Sequence, residues 1–210
     1  MSVLVDKFGR KVEYLRLSVT DRCDFRCVYC MSENPCFLTH EQVLSLEELA
    51  LIGQAFTELG VSKIRLTGGE PLIRPNIDFL VNQLGQLPGL KELSMTTNGS
   101  RLTKLADSMY QSGLSRLNIS LDTLNHERFS ALTRNGNLER VIAGIDAAKA
   151  AGFNRIKINA VILKGKNDDE IIDLVNFCRD RELDISFIEE MPLGVIDERK
   201  RQRHCSSDEV

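Results

Sequence analysis

The chain has 210 residues, of which 42% are hydrophobic and 27% are charged, with a formal net charge of −3. This length suits one sizeable core, and the mild negative charge argues against a general nucleic-acid surface. No apolar run is long enough to cross a bilayer, and no export or organelle signal is visible at the start of the sequence. We therefore expect a cytoplasmic globular protein with neither a nucleic-acid partner nor a membrane partner.

Short β-type runs alternate with longer helical runs along the whole chain. This alternation is typical of βα units, in which consecutive strands pair in parallel through right-handed crossovers. We predict six strands, at Tyr14 to Val19, Lys63 to Thr67, Glu92 to Thr96, Arg116 to Leu121, Arg155 to Leu163 and Asp184 to Glu189.

The intervening helices have readable ends. Ser45 and Glu48 have the spacing of a capping box for a helix over Leu46 to Leu59. Glycines suited to ending three of the predicted helices follow at Gly60, Gly113 and Gly152. An α/β fold follows, either an open doubly wound sheet or a barrel.

The two faces of the predicted strands decide between these folds. Strands buried between helices and a packed core are normally apolar on both faces. Here one face is apolar, whereas the other carries polar side chains on most strands: Arg16, Ser18, Arg65, Thr67, Ser94, Thr96, Asn118, Ser120, Lys157 and Asn159. We therefore predict a partial barrel of six βα units with a polar lumen. The alternative is an open sheet whose polar face is solvated.

Three cysteines, Cys23, Cys27 and Cys30, follow the first strand at CxxxCxxC spacing. They lie where parallel α/β proteins place their sites, and in a reducing compartment such a group predicts metal binding or catalysis. Three thiolates on a four-iron cluster leave one iron open to another ligand. The alternatives are a zinc site, for which Cys36 and His40 are unfamiliarly spaced fourth ligands, and a chance group of buried thiols. Of the other cysteines, we expect Cys178 in the core and see no role for Cys36 and Cys205.

Several motifs in this order resemble those of the radical S-adenosylmethionine (SAM) enzymes. They are the cysteine loop with Tyr29 before its last cysteine, "LTGGEP" after the second strand and "SLD" after the fourth. Within that superfamily, "YLRLSVTDRCDFRCVYC", "KIRLTGGEPLIR", "TTNG", "LNISLDTL", "IKINAVILKGKND" and "FIEEMPLG" are together similar to the GTP 3′,8-cyclase family of molybdenum cofactor biosynthesis. This resemblance covers nearly the whole chain. It implies a partial (βα)6 TIM-like barrel and a lyase that converts GTP to (8S)-3′,8-cyclo-7,8-dihydroguanosine 5′-triphosphate.

The resemblance also implies residue roles. The ligands of a [4Fe–4S] cluster would be Cys23, Cys27 and Cys30. The SAM contacts would be Tyr29, Gly69, Ser120 and Met191. The GTP contacts would be Arg16, Arg65, Thr96 and Lys157. Three of these GTP contacts are the cations of the predicted lumen face, and the alternative for them is snorkelling to solvent. Ser186 stands where relatives carry an Arg beside SAM.

The resemblance divides the chain into a barrel over residues 1–195 and the start of a C-terminal extension over residues 196–210. Family members carry a second [4Fe–4S] cluster and a Gly-Gly tail on that extension, which these 210 residues do not contain. We therefore expect a C-terminally truncated form that holds the first cluster but does not cyclise GTP alone. The basic run Asp197 to His204 is interpreted as a solvated linker or, secondarily, an anion site, and Ser206 or Ser207 as a helix cap.

The expected partners are GTP and a reductant protein. The sequence leaves the oligomeric state open, a homodimer included. Two alternative functions also remain: another radical SAM enzyme, such as a peptide-modifying one, and a non-enzymatic zinc module.

Overall fold

The computed structural model describes residues 4–32, 34–191 and 203–210. The strands are β1 Tyr14–Ser18, β2 Lys63–Thr67, β3 Glu92–Thr97, β4 Arg116–Ser120, β5 Ile156–Ile162 and β6 Asp184–Glu189. The helices are α1 Leu46–Glu58, α2 Ile77–Gly85, α3 Leu102–Gln111, α4 His126–Thr133, α5 Leu138–Ala150 and α6 Ile171–Asp180. Single 3₁₀ turns lie at His40–Gln42, Pro71–Ile73 and Asp168–Glu170.

The six strands form one parallel sheet in the order β1 to β6, so each strand pairs with its neighbours in the chain. Within the described residues β1 and β6 do not pair with each other, which leaves the barrel partial. The predicted (βα)6 architecture is confirmed. Strand ends differ from the prediction by one residue at most. Val19, for example, lies just beyond β1, although its amide still donates to Thr67 O at 2.9 Å.

The core lies between the outer face of the sheet and the helices. Fully buried side chains on that face of the strands include Ile64, Leu66, Leu117, Ile119 and Ile158. Leu80, Leu84, Met109, Val141 and Ile145 cover them from the helices. Each such burial contributes about 1.5–3 kcal/mol.

The inner face is polar as predicted, but side chains fill it at two positions. Ser94 and Asn118 are buried because Arg65 lies over them. Arg65 Nε is 3.5 Å from Ser94 Oγ, and both Arg65 Nη atoms are 3.2 Å from the Asn118 amide oxygen in the orientation that satisfies both groups. The Arg65 side chain therefore fills part of the lumen beside Ser94 and Asn118.

The predicted capping box of α1 is confirmed. Ser45 Oγ accepts from Glu48 N at 3.1 Å, and the Glu48 carboxylate accepts from Ser45 N at 2.7 Å. Leu59 is the C-cap, and Gly60 follows with φ +97°, a conformation that favours glycine.

Residues 203–210 lie against β5. Leu163 forms an antiparallel bridge with His204, and Cys205 is buried beside Ala160, Ile162 and Leu174. Ser207 to Glu209 form a turn, so no helix begins after the predicted cap within the described residues. The predicted domain boundary and most of the predicted linker fall in residues 192–202, outside the described residues. No described helix is both long and apolar enough to cross a membrane.

Candidate functional site

The three cysteines lie on the loop after β1. Cys23 and Cys27 are half-buried, Cys30 is exposed, and all three are free thiols. Cys30 N and Met31 N donate to Cys27 O at 3.0 and 3.1 Å, which forms a tight turn between the second and third cysteines.

The end of α4 holds this loop from one side. Arg26 N donates to Thr133 O and Val28 N to Leu132 O, each at 2.9 Å. Arg134 Nη1 then donates to Arg26 O at 3.0 Å. The backbone of the cysteine loop is therefore fixed by residues more than a hundred positions later in the chain.

The turn of the "GGE" motif holds the loop from the other side. Gly69 N donates to Thr20 O and Glu70 N to Arg22 O, each at 2.8 Å. A Cβ on Gly68 would lie 2.2 Å from Thr20 O, and one on Gly69 would lie 2.2 Å from Arg22 O. This close approach of two backbones is possible only because both positions lack a side chain.

Glu70 is a buried carboxylate at the centre of this contact. It accepts from Leu72 N at 2.9 Å, Thr97 Oγ1 at 2.7 Å and Asn98 N at 2.6 Å. Burial raises the pKa of Glu70 to about 7, although the three hydrogen bonds oppose that rise. The carboxylate joins the "GGE" turn to the loop after β3.

That loop in turn contacts the residue after the first cysteine. Asn98 Nδ2 donates to Asp24 Oδ1 at 2.7 Å, and Ser100 Oγ donates to Asp24 Oδ2 at 2.9 Å. Asp24 Oδ1 is 4.0 Å from Cys23 Sγ. No role was predicted from the sequence for Asp24, Asn98 or Ser100. Asn-Gly after a strand, as at Asn98, indicates only a turn.

Tyr29 and Asp122 join the end of the cysteine loop to β4 and β5. Tyr29 is half-buried, and its hydroxyl donates to Asp122 Oδ2 at 2.6 Å. Val161 N donates to Asp122 Oδ1 at 2.9 Å. Burial raises the pKa of Asp122 to about 6, with the two hydrogen bonds opposing the rise. Asp122 is the acid of the "SLD" motif, in which only Ser120 was predicted to have a role.

Two of the thiols lie in surroundings that disfavour an uncompensated thiolate charge. Burial raises the pKa of Cys23 to about 11 and that of Cys27 to about 12, and in both cases the charge of Cys30 adds to the rise. Thiols with such surroundings become thiolates when a metal centre compensates the charge. Three free thiols on one loop are a donor set that fits a three-thiolate cluster, although no three His, Cys, Asp or Glu side chains of the described residues already stand in a metal-binding arrangement.

A cleft of about 530 Å³ opens beside Cys30 on the β6 side. Tyr29 and Met191, two predicted SAM contacts, line it together with Cys30. Gly69 and Ser120 do not line this cleft: Gly69 lies in the "GGE" turn and Ser120 ends β4. The structure brings Tyr29, Cys30 and Met191 together around one cleft. The roles of all four SAM contacts stay predictions.

The predicted GTP contacts share the inner face of the sheet. Arg16 is in register with Arg65 across β1 and β2, and Lys157 is aligned with Thr96 through Asn118. None of the ion pairs within the described residues involves Arg16, Arg65 or Lys157. Three cations thus face one lumen without carboxylates bound to them. Ser186 lies in register with Asn159 on the same face.

Comparisons with known proteins agree on the family. Residues 17–178 match the model of the radical SAM superfamily. The chain is 65% identical over 208 residues to the GTP 3′,8-cyclase of Pseudomonas entomophila (strain L48), which covers 99% of this chain and 62% of that protein. It is 60% identical over 210 residues to GTP 3′,8-cyclase 1 of Pseudomonas aeruginosa, which covers 100% of this chain and 64% of the relative. The chain therefore spans somewhat less than two thirds of the length of these relatives.

The fold also matches solved structures. Streptococcus suis SuiB bound to S-adenosylmethionine superposes with a TM-score of 0.71 at 23% identity, covering 90% of this chain and 42% of that chain. At that identity the likeness shows the fold alone. With the family model covering most of the barrel and the three cysteines free on the loop after β1, the chain belongs to the radical SAM superfamily.

Proposed function

We propose that this chain forms the catalytic barrel of a GTP 3′,8-cyclase, a radical SAM lyase of the first step of molybdenum cofactor biosynthesis. The identity of 60% to 65% to relatives of that name supports the proposal. The observation that carries it is the group of three lumen cations, Arg16, Arg65 and Lys157, on one face of the sheet. A triphosphate would offset the cost of keeping these cations together in a partly buried lumen.

Family membership supports SAM and a [4Fe–4S] cluster as cofactors. Cys23, Cys27 and Cys30 would hold the cluster, and Tyr29, Gly69, Ser120 and Met191 would contact SAM. When bound, this pair supplies a 5′-deoxyadenosyl radical by one-electron cleavage of SAM.

The chain's own residues bind and orient the substrate in this proposal. Arg16, Arg65 and Lys157 hold the triphosphate, and Thr96 contacts the nucleotide beside them. A fixed triphosphate keeps the ribose C3′ hydrogen close to where the radical forms, and such orientation contributes about 7–11 kcal/mol in favourable cases. The cations act by position and charge, with no proton transfer required of them.

Further parts of the proposal concern the whole protein. A barrel over residues 1–195 would be followed by an extension that begins at residue 196 and, in a full-length form, carries a second [4Fe–4S] cluster. The protein would work in the cytoplasm, receive electrons from a reductant protein and be able to form a homodimer.

Equilibrium binding of GTP and guanosine to the SAM-loaded chain tests the substrate assignment. Lys157→Ala and Arg65→Ala should each weaken GTP about ten- to a hundredfold, because each removes one charge-assisted contact, while guanosine and SAM binding change little. Lys91→Ala, at the start of β3 on the opposite end of the barrel, serves as the matched control. Equal losses for GTP and guanosine would mean that these cations do not face the triphosphate. No preference for GTP in the parent chain would favour another radical SAM reaction.

A further inference from the structure

A second group of cations lies outside the lumen, around a cleft of about 340 Å³ at the starts of α3 and α5. Arg101, Lys104 and Arg140 line this cleft, which we call the rim cleft, together with Asp24, Ser100, Thr103 and Leu105. Helices α3 and α5 pack against each other, so these cations belong to one surface. All three side chains are exposed.

The rim cleft is a positive surface on a chain of net charge −3. None of the ion pairs found among the described residues involves Arg101, Lys104 or Arg140. The positive ends of two helix dipoles, those of α3 and α5, add to the same surface.

The residues that line the rim cleft carry more positive than negative charge, three cations against one carboxylate. Asp107 lies one turn further along α3, and Glu139 of α5 pairs with His126. Asp24 is the only carboxylate among the lining residues, and Asn98 and Ser100 bind its two oxygens.

The inner wall of the rim cleft reaches the cysteine loop. Asp24 lines the cleft, and its Oδ1 atom is 4.0 Å from Cys23 Sγ. Asn98 Nδ2, which binds the same carboxylate, is also 4.0 Å from that sulfur. One side chain therefore separates a molecule bound in the rim cleft from a sulfur that would ligate the cluster.

The rim cleft is also separate from the other openings of the site. The cations assigned to GTP lie on the inner face of the sheet, whereas Arg101, Lys104 and Arg140 lie on or beside the outer helices. The cleft lined by Tyr29 and Met191 shares no lining residue with the rim cleft. The rim cleft is therefore distinct from both of these sites.

We propose that the rim cleft is the docking surface for an acidic one-electron carrier protein that reduces the cluster. This inference rests on the proposed cluster at Cys23, Cys27 and Cys30. In the reaction one electron leaves the reduced carrier and one electron enters the cluster, with no bond made or broken. Complementary charge brings the carrier to the surface, and Asp24 and Asn98 lie between it and Cys23.

Charge reversal tests the docking surface. The triple variant Arg101→Glu, Lys104→Glu, Arg140→Glu is compared with Lys11→Glu, Lys63→Glu, Lys91→Glu, whose three exposed lysines lie away from the cleft and give the same change in net charge. Both variants are reconstituted with iron and sulfide and mixed anaerobically with the fully reduced form of an acidic flavodoxin. At low ionic strength the rim variant should be reduced about 10- to 1,000-fold more slowly than the control variant, because steering by complementary charge is lost. High salt should remove most of that difference.

Two further measurements separate the possible failures. Reduction by dithionite, a small reagent, should be alike in both variants, and a failure of dithionite to reduce either one would overturn the proposed cluster. Binding of labelled flavodoxin to the iron-free chain requires no cluster and should be weakened in the rim variant alone. Equal flavodoxin binding and equal reduction rates in the two variants would overturn the docking surface while leaving the cluster in place.

Discussion

At the scale of single residues, two of the proposed cluster ligands, Cys23 and Cys27, lie close to acidic side chains. The charges of Glu70 and Asp24 add to the rise in the pKa of Cys23, and the charge of Asp122 adds to the rise in the pKa of Cys27. Cys36 is exposed.

We predict that Cys27→Ala abolishes cluster binding and that Cys36→Ala does not. The loss follows because three thiolates are needed to hold three of the four irons. Iron and sulfide content after anaerobic reconstitution, together with the broad visible absorbance of the cluster, measures the effect. A full complement of iron and sulfide in Cys27→Ala would contradict the assignment.

The buried carboxyls Glu70 and Asp122 predict the pH dependence of stability. Their pKa values rise from 4.5 to about 7 and from 3.8 to about 6 on folding. The folded chain therefore holds more protons than the unfolded chain in this interval. This stabilisation is full below the unfolded pKa values and is lost as pH rises through the folded ones, by at most about 1.4 kcal/mol per group and pH unit.

Urea unfolding of the iron-free chain at several pH values between about 5 and 7 measures this dependence. The free energy of unfolding should fall as pH rises, and the slope should be smaller in Glu70→Gln and in Asp122→Asn. Glu189→Gln is the control, because hydrogen bonds from Ser207 lower the pKa of Glu189 and its titration lies below the interval. An unchanged slope in both test variants would mean that these carboxyls ionise as freely in the folded chain as in the unfolded one.

The sequence predicted these residues unevenly. The spacing of Cys23, Cys27 and Cys30 is local, so it could be found without the fold. The contact of Asn98 with Asp24 joins residues 74 positions apart, and that of Tyr29 with Asp122 joins residues 93 positions apart. Neither pair has a local pattern, because each depends on which strand ends meet in the folded barrel.

At the scale of elements, two adjacent glycines in one turn determine how closely the loops of the site approach each other. The "GGE" turn after β2 lies directly on the backbone of the cysteine loop through Gly68 and Gly69. The sequence predicted the strand before this turn correctly, from alternation, and predicted the turn itself from its glycines. It did not predict the partner of the turn, since close backbone approach leaves no signal except the absence of a side chain.

We predict that Gly69→Ala displaces the cysteine loop and lowers iron uptake without unfolding the barrel. The new Cβ would meet Arg22 O, a backbone atom, and such overpacking costs about 1–3 kcal/mol. Iron content after reconstitution and the circular dichroism spectrum measure the two effects. Gly53→Ala in α1 is the control, because its Cβ would meet the end of the Leu84 side chain, away from the site. Normal iron uptake in Gly69→Ala would show that this contact does not position the loop.

At the scale of the whole molecule, all six strands of the partial barrel lie within the described residues, whereas the chain spans 62% to 64% of the length of its relatives. The barrel and its polar inner face were predictable, because strand period and βα alternation extend over most of the chain. The placement of residues 203–210 against β5 was not predictable, because Cys205 carries no pattern that links it to Ala160 and Leu174.

We predict that the reconstituted chain cleaves SAM but does not cyclise GTP. The barrel holds the proposed SAM contacts, while contacts to the triphosphate alone leave the guanine end loose, and a misplacement of about 1 Å can cost a hundredfold in rate. Anaerobic incubation with SAM, dithionite and GTP, followed by chromatography of 5′-deoxyadenosine and of the cyclised nucleotide, measures both outcomes. Robust cyclised product from residues 1–210 would contradict this prediction.

The order of the strands also has a consequence for synthesis of the protein. Because β1 to β6 are neighbours in the sheet in the same order as in the chain, every strand after the first finds its partner already made when it leaves the ribosome. At roughly 5–20 residues per second, successive strands emerge within about ten seconds of each other. Each newly emerged βα unit can therefore be added to the growing edge of the sheet, and no strand has to wait for a distant partner that has not yet been translated.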